Sequence, residues 1–381
     1  MNKPPFITTD EFNSFAAFTV TNRLPAIVRS VIDNNNFDNK IADKLEDLFR
    51  NIPEGDLKEL PDSSGINRKI NSEIHSNKYR WNKAPFIFAE NYLYHLLKEI
   101  CHYPETTYDY FAFKKNSDIV SKKDALLKAI ANYKNLAEPL NSESLKPVLY
   151  SYLSGNAADL SQMGASYGSS INLLIDDSDK IKTVLTTAKQ IDIVLDNSGE
   201  ELLYDLLFLH WLLSSTNTTK VNLHFKTFPY FVSDALIKDF YFLLEELSRD
   251  KNGKDFAGII ESYITAGNLV LYDDNFWTDA NDYSVLPESI KSILSESDLI
   301  VFKGDLNYRK LIEDRHWSFT QNTAGLTGHI ATTCLIIRVL KSEIITGLKS
   351  VPVTGNNEWM YNSKYGIIQL VKPLGVMNLE Q

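Results

Sequence analysis

IDIVLDNSGEELLYDL, residues 191–206, is the stretch whose reading decides the fold. Apart from Asp192, its first five residues are large or β-branched apolar ones, the composition of a strand packed on both faces in a parallel sheet. The run stops on Asp196-Asn197, and a helix-like pattern begins at once. The break therefore falls at the carboxyl end of a strand, the edge at which open α/β sheets bind ligands. A carboxylate beside an amide suits a hard cation or a substrate there. A purely structural account fits the same residues. Ser198 followed by Glu201 reads as a capping box, and Asp ahead of a helix is common turn chemistry.

Working outward, short apolar runs at 191–195, 221–225, 268–272, 298–303, 334–339 and 366–371 alternate with helix-like stretches at 200–213, 232–247, 255–265 and 287–295. That alternation is the βαβ signature. It predicts a doubly wound, mainly parallel, Rossmann-like α/β/α sheet of about five to seven strands with right-handed crossovers. Residues 1–150 repeat instead at helical period, as in Phe15, Phe18, Leu24, Ile27, Val28 and Val31, with no convincing strand. The expected organisation is an N-terminal all-helical domain over 1–150 and an α/β/α domain over 151–381.

Composition narrows the functions. Acidic side chains outnumber basic ones by 49 to 39 and no Lys/Arg-rich run occurs, so nucleic acid is a poor partner. Cys101 and Cys334 lack C-x-x-C spacing, which argues against disulfide and thiolate-metal frameworks and suits a reducing, cytoplasmic setting. The N-terminus lacks the layout of a secretory signal, and no apolar run approaches the roughly 20 residues that cross a bilayer. None of the 16 glycines forms a G-x-G, which removes the dinucleotide fingerprint and the Gly-rich loop expected of many methyl-donor sites. Walker A, G-x-S-x-G and H-E-x-x-H motifs are also missing. The seven histidines are scattered, and His210 and His224 read as core residues.

What remains is a set of polar residues at element junctions. Ser233-Asp234 follows an aromatic run and reads most simply as the N-cap of a helix. In SDLIVFKGDLNYRKL, 297–311, a strand ends in Gly304-Asp305, with Asn307, Tyr308, Arg309 and Lys310 behind it. Gly304 permits close backbone approach, and helix-opening amides suit an anion. Arg338 and Lys341 sit on or just past a buried strand, where cations need anionic partners: a salt bridge to the acids above, or a phosphate. Three junction acids, an Asn, an Arg and a Lys suit phosphoryl transfer to water assisted by an oxygen-ligated divalent ion, Mg²⁺ or Mn²⁺ rather than zinc. A phospho-aspartyl route is less attractive, because no strand is followed by D-x-D-x-[TV].

In this order the junctions resemble the metal-dependent damage-control phosphatases, a family once catalogued as a domain of unknown function. The subfamily resembled includes a proposed acidic-residue carboxyl methyltransferase and fungal sugar-phosphate phosphatases. The likeness is most specific in D-N-x-G-x-E at 196–201 and G-D-L-N-Y-R at 304–309, with F-V-S-D at 231–234 a third match and Asn22-Arg23-Leu24-Pro25, 81–94 and 366–369 in support. It implies Asp196, Asn197 and Asp234 as metal ligands and, with Asp305, as the catalytic set. It implies Glu201, Asp305, Leu306, Asn307, Tyr308, Arg309 and Lys341 around a sugar phosphate such as fructose 1-phosphate, with Mn²⁺ or Mg²⁺, or else Co²⁺ or Ni²⁺, as cofactor. Three departures bear on substrate choice. R-T-x-K becomes Arg338-Val339-Leu340-Lys341, W-G-N-x-x-D-L-S becomes SGNAADLS at 154–161, and an expected Arg is His95. The alternatives are an S-adenosylmethionine-dependent carboxyl methyltransferase, which the missing Gly-rich loop disfavours, and a non-catalytic phosphometabolite-binding protein.

Overall fold

In the computed structural model, which describes residues 3–62, 65–103, 105–134, 140, 142–155, 171–350 and 357–373, the deciding run forms β2, Gln190–Val194. Ile191 and Ile193 join one apolar cluster and Val194 joins another on the opposite face, which is why the run carries so little polar alternation. The remaining strands are β1 Asn172–Asp176, β3 Lys220–Phe225, β4 Leu269–Asp273, β5 Leu299–Lys303, β6 Cys334–Val339 and β7 Tyr365–Val371. They form a seven-stranded sheet in the order β1-β7-β6-β5-β2-β3-β4. All neighbours pair parallel except β6 with β7. The mainly parallel α/β sheet expected from the sequence is therefore present.

From β2 the chain steps outward through β3 and β4, then returns to lay β5 on the other side of β2. The winding direction reverses between β2 and β5. Such a switch point opens a crevice at the carboxyl ends of the two strands.

Two local expectations are corrected. Strand β1, NLLID, has no counterpart among the expected strands: it is a five-residue edge strand whose apolar centre is only three residues long. The helix expected to open at Asp234 begins instead at Ile237, behind Leu236, whose N–H donates to the Asp239 carboxylate at 2.9 Å. Asp234 is held back because residues 230–234 form a tight turn. Phe231 and Val232 have positive φ of 40° and 68°, and the Asp234 N–H donates to the Tyr230 carbonyl at 3.2 Å.

The helices Leu24–Asn34, Asn39–Asn51 and Phe86–Ile100 pack around Val28, Leu45, Leu93 and Leu97, and the same cluster takes in Phe228, Tyr230, Val232 and Leu306. Those four belong to the loop after β3 and the helix after β5, so the helical layer is seated directly on the switch-point edge. Helices Ala112–Ser121, Lys123–Lys134 and Ser142–Gly155 place Ile119, Ile130 and Leu149 in the core shared with Ile191, Leu206 and Leu335. Among the described residues no helix is long and apolar enough to cross a membrane.

Candidate active site

The carboxyl ends of β6, β5, β2 and β3 lie side by side, and each delivers one of the polar junctions. Asp196 and Asn197 follow β2, Asp234 follows β3, Gly304 and Asp305 follow β5, and Lys341 follows β6. Asp196, Asn197, Asp234, Asp305, Leu306, Arg309 and Lys341 line a single cavity, closed from the helical layer by Phe15, Arg23 and Glu90.

On the acidic side, Asn197 and Asp234 face each other across an isolated antiparallel bridge. The Ser198 N–H donates to the Ser233 carbonyl at 2.7 Å, and the Ala235 N–H to the Asp196 carbonyl at 2.9 Å. This main-chain lacing ties the β2 junction to the β3 junction. Asn197 Nδ2 donates to Asp196 Oδ2 at 2.9 Å and to Glu201 Oε2 at 2.8 Å, while Oδ1 accepts from Ser233 Oγ at 2.6 Å. The capping box read from Ser198 and Glu201 does not form. The helix Glu200–Ser215 is entered through Gly199 at φ 71°, and Glu201 turns inward to Asn197 and to Lys303, whose Nζ lies 3.2 Å from its Oε1. Behind Asp234, the buried Lys226 ammonium is 3.7 Å from Oδ2 and 3.3 Å from Asn307 Oδ1. Burial pulls this lysine below its ordinary pKa, against the opposing effect of Asp234 and Asp196.

On the cationic side, Arg338 Nε donates to Asp305 Oδ1 at 2.7 Å, and the Lys341 N–H donates to the same oxygen at 3.0 Å. Burial pushes Asp305 up, but Arg338 and then Arg309 outweigh it and hold the carboxyl below its usual range. Arg309 grips Asp314 with two parallel bonds, 3.1 and 2.7 Å, and donates to Glu90 at 2.6 Å. The salt-bridge account of Arg338 is thus realised, while Lys341 lies on the cavity wall.

The other expected site residues bond protein groups in this arrangement. Asn307 donates to the carbonyls of Val194, Leu195 and Lys303, stapling β2 to β5, and accepts from Tyr283 at 2.6 Å. The Tyr308 hydroxyl accepts from the Thr346 N–H at 2.9 Å. Neither these two nor Glu201 lines the cavity. His95 is also remote from it, bonded through Nε2 to the Thr278 carbonyl at 2.8 Å, and Val339 is buried in the apolar core. Residues 156–161 of SGNAADLS lie outside the described residues. Lys226 and the helical-layer residues Phe15, Arg23 and Glu90 were not singled out as site residues from the sequence. Arg23 stood within the N-R-L-P match, but only the fold brings it to the strand ends.

The donor set can be tested against a divalent ion. Among the described residues no group of three or more His, Cys, Asp and Glu side chains is placed to hold a metal. The acidic side offers two carboxylates and one carboxamide, an oxygen set of the kind Mg²⁺ and Mn²⁺ accept when water and substrate complete the shell. Exchanging the two amide atoms of Asn197 leaves Ser233 bonded, now through Nδ2, and turns Oδ1 toward the Asp196 and Glu201 carboxylates, an orientation that a cation among them would suit. Gly304, at φ 81°, completes the cradle: a Cβ there would overlap the Asp196 carboxylate. The residues present fit the ion.

The damage-control phosphatase ARMT1-like domain matches residues 19–356. The chain is 31% identical to damage-control phosphatase ARMT1 of Macaca fascicularis over 97% of this chain and 99% of that one, and 30% identical to the Homo sapiens protein over the same shares. The Bos taurus protein is 33% identical over 78% of this chain and 76% of its own length. In fold, the chain is similar to the crystal structure of a DUF89 family protein from Pyrococcus horikoshii, with a TM-score of 0.50 and 15% identity over 94% of this chain and 98% of that one. The chain belongs to the damage-control phosphatase ARMT1-like family, a family of hydrolases.

Proposed function

We propose that the protein is a divalent-metal-dependent phosphatase of small phosphorylated metabolites, with sugar phosphates such as fructose 1-phosphate as the substrate class. The observation that carries this reading is the meeting of Asp196, Asn197, Asp234 and Lys341 in one cavity at the switch point. Asp196, Asn197 and Asp234 would hold Mg²⁺ or Mn²⁺, or alternatively Co²⁺ or Ni²⁺. Such an ion supplies Lewis-acid polarisation of a phosphoryl oxygen and a more acidic water. Lys341 and Arg23 bring positive charge to the transferring group, where it is most effective in a site screened from water. Asp305 takes no proton in this scheme: held ionised by Arg338, it fixes Lys341 through the main-chain N–H. Water attacks phosphorus, the ester oxygen leaves with a proton as an alcohol, and inorganic phosphate is released. Cys101 and Cys334 are free, buried thiols in separate clusters, which suits the proposed reducing, cytoplasmic setting.

The test is phosphate release from a panel of sugar phosphates with each of the four ions. Turnover should require the ion and disappear in folded Asp196→Ala and Asp234→Ala. Undiminished hydrolysis in excess chelator, or in both variants, overturns the reading.

A further inference from the structure

The loop that carries Asp234 is held from outside the sheet. Its turn contains two consecutive non-glycine residues at positive φ, Phe231 and Val232, a conformation that persists only where its surroundings impose it. The restraints come from the helical layer. Tyr110 donates its hydroxyl to the Pro229 carbonyl at 3.0 Å, Tyr230 donates to Asn91 Oδ1, and Phe231 stacks on Tyr94 with ring centroids 4.6 Å apart. The remaining restraint reaches Asp234 itself. Lys115, in the helix Ala112–Ser121 and only 1% exposed, donates to the Asp234 carbonyl at 3.0 Å, to Asp239 Oδ2 at 2.8 Å and to Asp109 Oδ2 at 3.0 Å.

These three bonds join three elements. Asp109 opens the turn that leads into the lysine's own helix, where its Oδ1 accepts from the Phe111 N–H at 2.8 Å. Asp239 lies in the first turn of the helix after Asp234 and caps it through Leu236. Between them the ammonium bridges Asp234 and Asp239, five positions apart, so the ligand loop and the following helix cannot shift independently. We propose that Lys115 is a positioning residue for the acidic half of the site: it sets Asp234 at the distance from Asp196 and Asn197 that a shared divalent ion requires. The proposal rests on the reading of Asp234 as a metal ligand. Lys115 itself does not line the cavity and touches no reacting group.

Two variants test it. Lys115→Met removes all three bonds. Asp109 keeps Lys238, 3.5 Å away, and Asp239 keeps the Leu236 N–H, so neither carboxylate is left without a donor. Lys115→Met/Asp109→Asn also removes one of the two carboxylates and serves where the single variant does not fold. Mn²⁺ affinity is read by electron paramagnetic resonance of the free ion, alongside kcat and KM in saturating Mn²⁺. The folded variant should bind Mn²⁺ about 10–100-fold more weakly, the range for partners that orient metal ligands, with kcat lowered more than KM is raised. Lys115→Arg, which keeps the charge and two or more of the bonds, should recover most of the affinity. Native Mn²⁺ affinity in a folded Lys115→Met or double variant overturns the positioning role. If Asp234→Ala also binds Mn²⁺ as the native protein does, the metal reading fails with it; if Asp234→Ala alone loses binding, only the role of Lys115 falls.

Discussion

The two halves of the cavity use charge in opposite ways. Along the β5 and β6 edge, the guanidinium groups are matched to protein carboxylates: Arg338 to Asp305, and Arg309 to Asp314 and Glu90. Along the β2 and β3 edge, Asp196, Asn197 and Asp234 crowd together, with the Lys226 ammonium 3.7 Å from Asp234 Oδ2. In the first region each guanidinium meets carboxylates of its own, whereas the second gathers two carboxylates and an amide at one corner of the cavity. Buried ion pairs hold a wall in place, whereas neighbouring carboxylate and amide oxygens are the kind of set a divalent ion accepts. A residue's type therefore says little about its role until its partner is known. Arg338 and Lys341 are three apart in sequence, yet the first is locked in a salt bridge and the second faces the cavity.

Substitutions on the two edges should separate accordingly. The largest effect is expected from Asp196→Ala: kcat/KM should fall by about a thousandfold or more, since several kcal/mol of charge stabilisation would be lost. Its urea midpoint should stay near the native one. A strongly destabilised Asp196→Ala would make the acidic edge a structural element and erase the contrast. Arg338→Met should do the reverse, lowering stability by about 3–5 kcal/mol because Asp305 stays buried without its main cation. If that variant is as stable as the native chain in urea but inactive, Arg338 acts on substrate instead. Gly304→Ala is expected to cost about 1–3 kcal/mol, from its positive φ and from overlap with Asp196, and to weaken Mn²⁺ binding as well. Unchanged Mn²⁺ affinity would mean that the Gly304 backbone does not shape the acidic edge.

The smallest effect concerns Asp205, one turn beyond Glu201 and 3.5 Å from Lys303. Burial, and then the neighbouring Glu201 charge, push its carboxyl up to about 7 against the pull of Lys303. Its folded pKa lies above the unfolded value near 4. The native state therefore binds a proton that the unfolded chain has released, and stability falls as pH rises from about 4 to about 7. Asp205→Asn should flatten that decline in urea titrations over the same window. An unaltered slope would place the titration elsewhere.

Much of the fold was legible because it depends on local pattern. Six of the seven strands announce themselves as apolar runs. Five do so because a strand flanked on both sides and largely buried has little polar register, and the edge strand β4 because Leu269, Val270 and Leu271 stand in a row. The exception, β1, is an edge strand whose short apolar centre is stabilised by β7, nearly 200 residues away. Within the cavity, Asp196, Asn197, Asp305 and Lys341 stood out from their places at or just past strand ends, whereas Asp234 read most simply as a helix N-cap and joined them only through the family resemblance. Their division of labour could not be read. Asn307, Tyr308 and Glu201 stand in the same motifs, yet they bond protein groups behind the cavity wall: main-chain carbonyls, Thr346, and Asn197 with Lys303.

By itself, the amino-acid sequence determined the alternation of strand and helix and hence which residues end strands, because periodicity and junction chemistry are local. Only the tertiary structure decided that four of those ends converge, that Arg23, Glu90 and Lys115 reach them from the helical layer, and that Lys226 lies behind Asp234. The physical reason is that burial and pairing set the state of a charged side chain. Both are set by partners that the fold brings together, such as Glu90 beside Arg309 and Lys115 beside Asp234, and no local spacing encodes them.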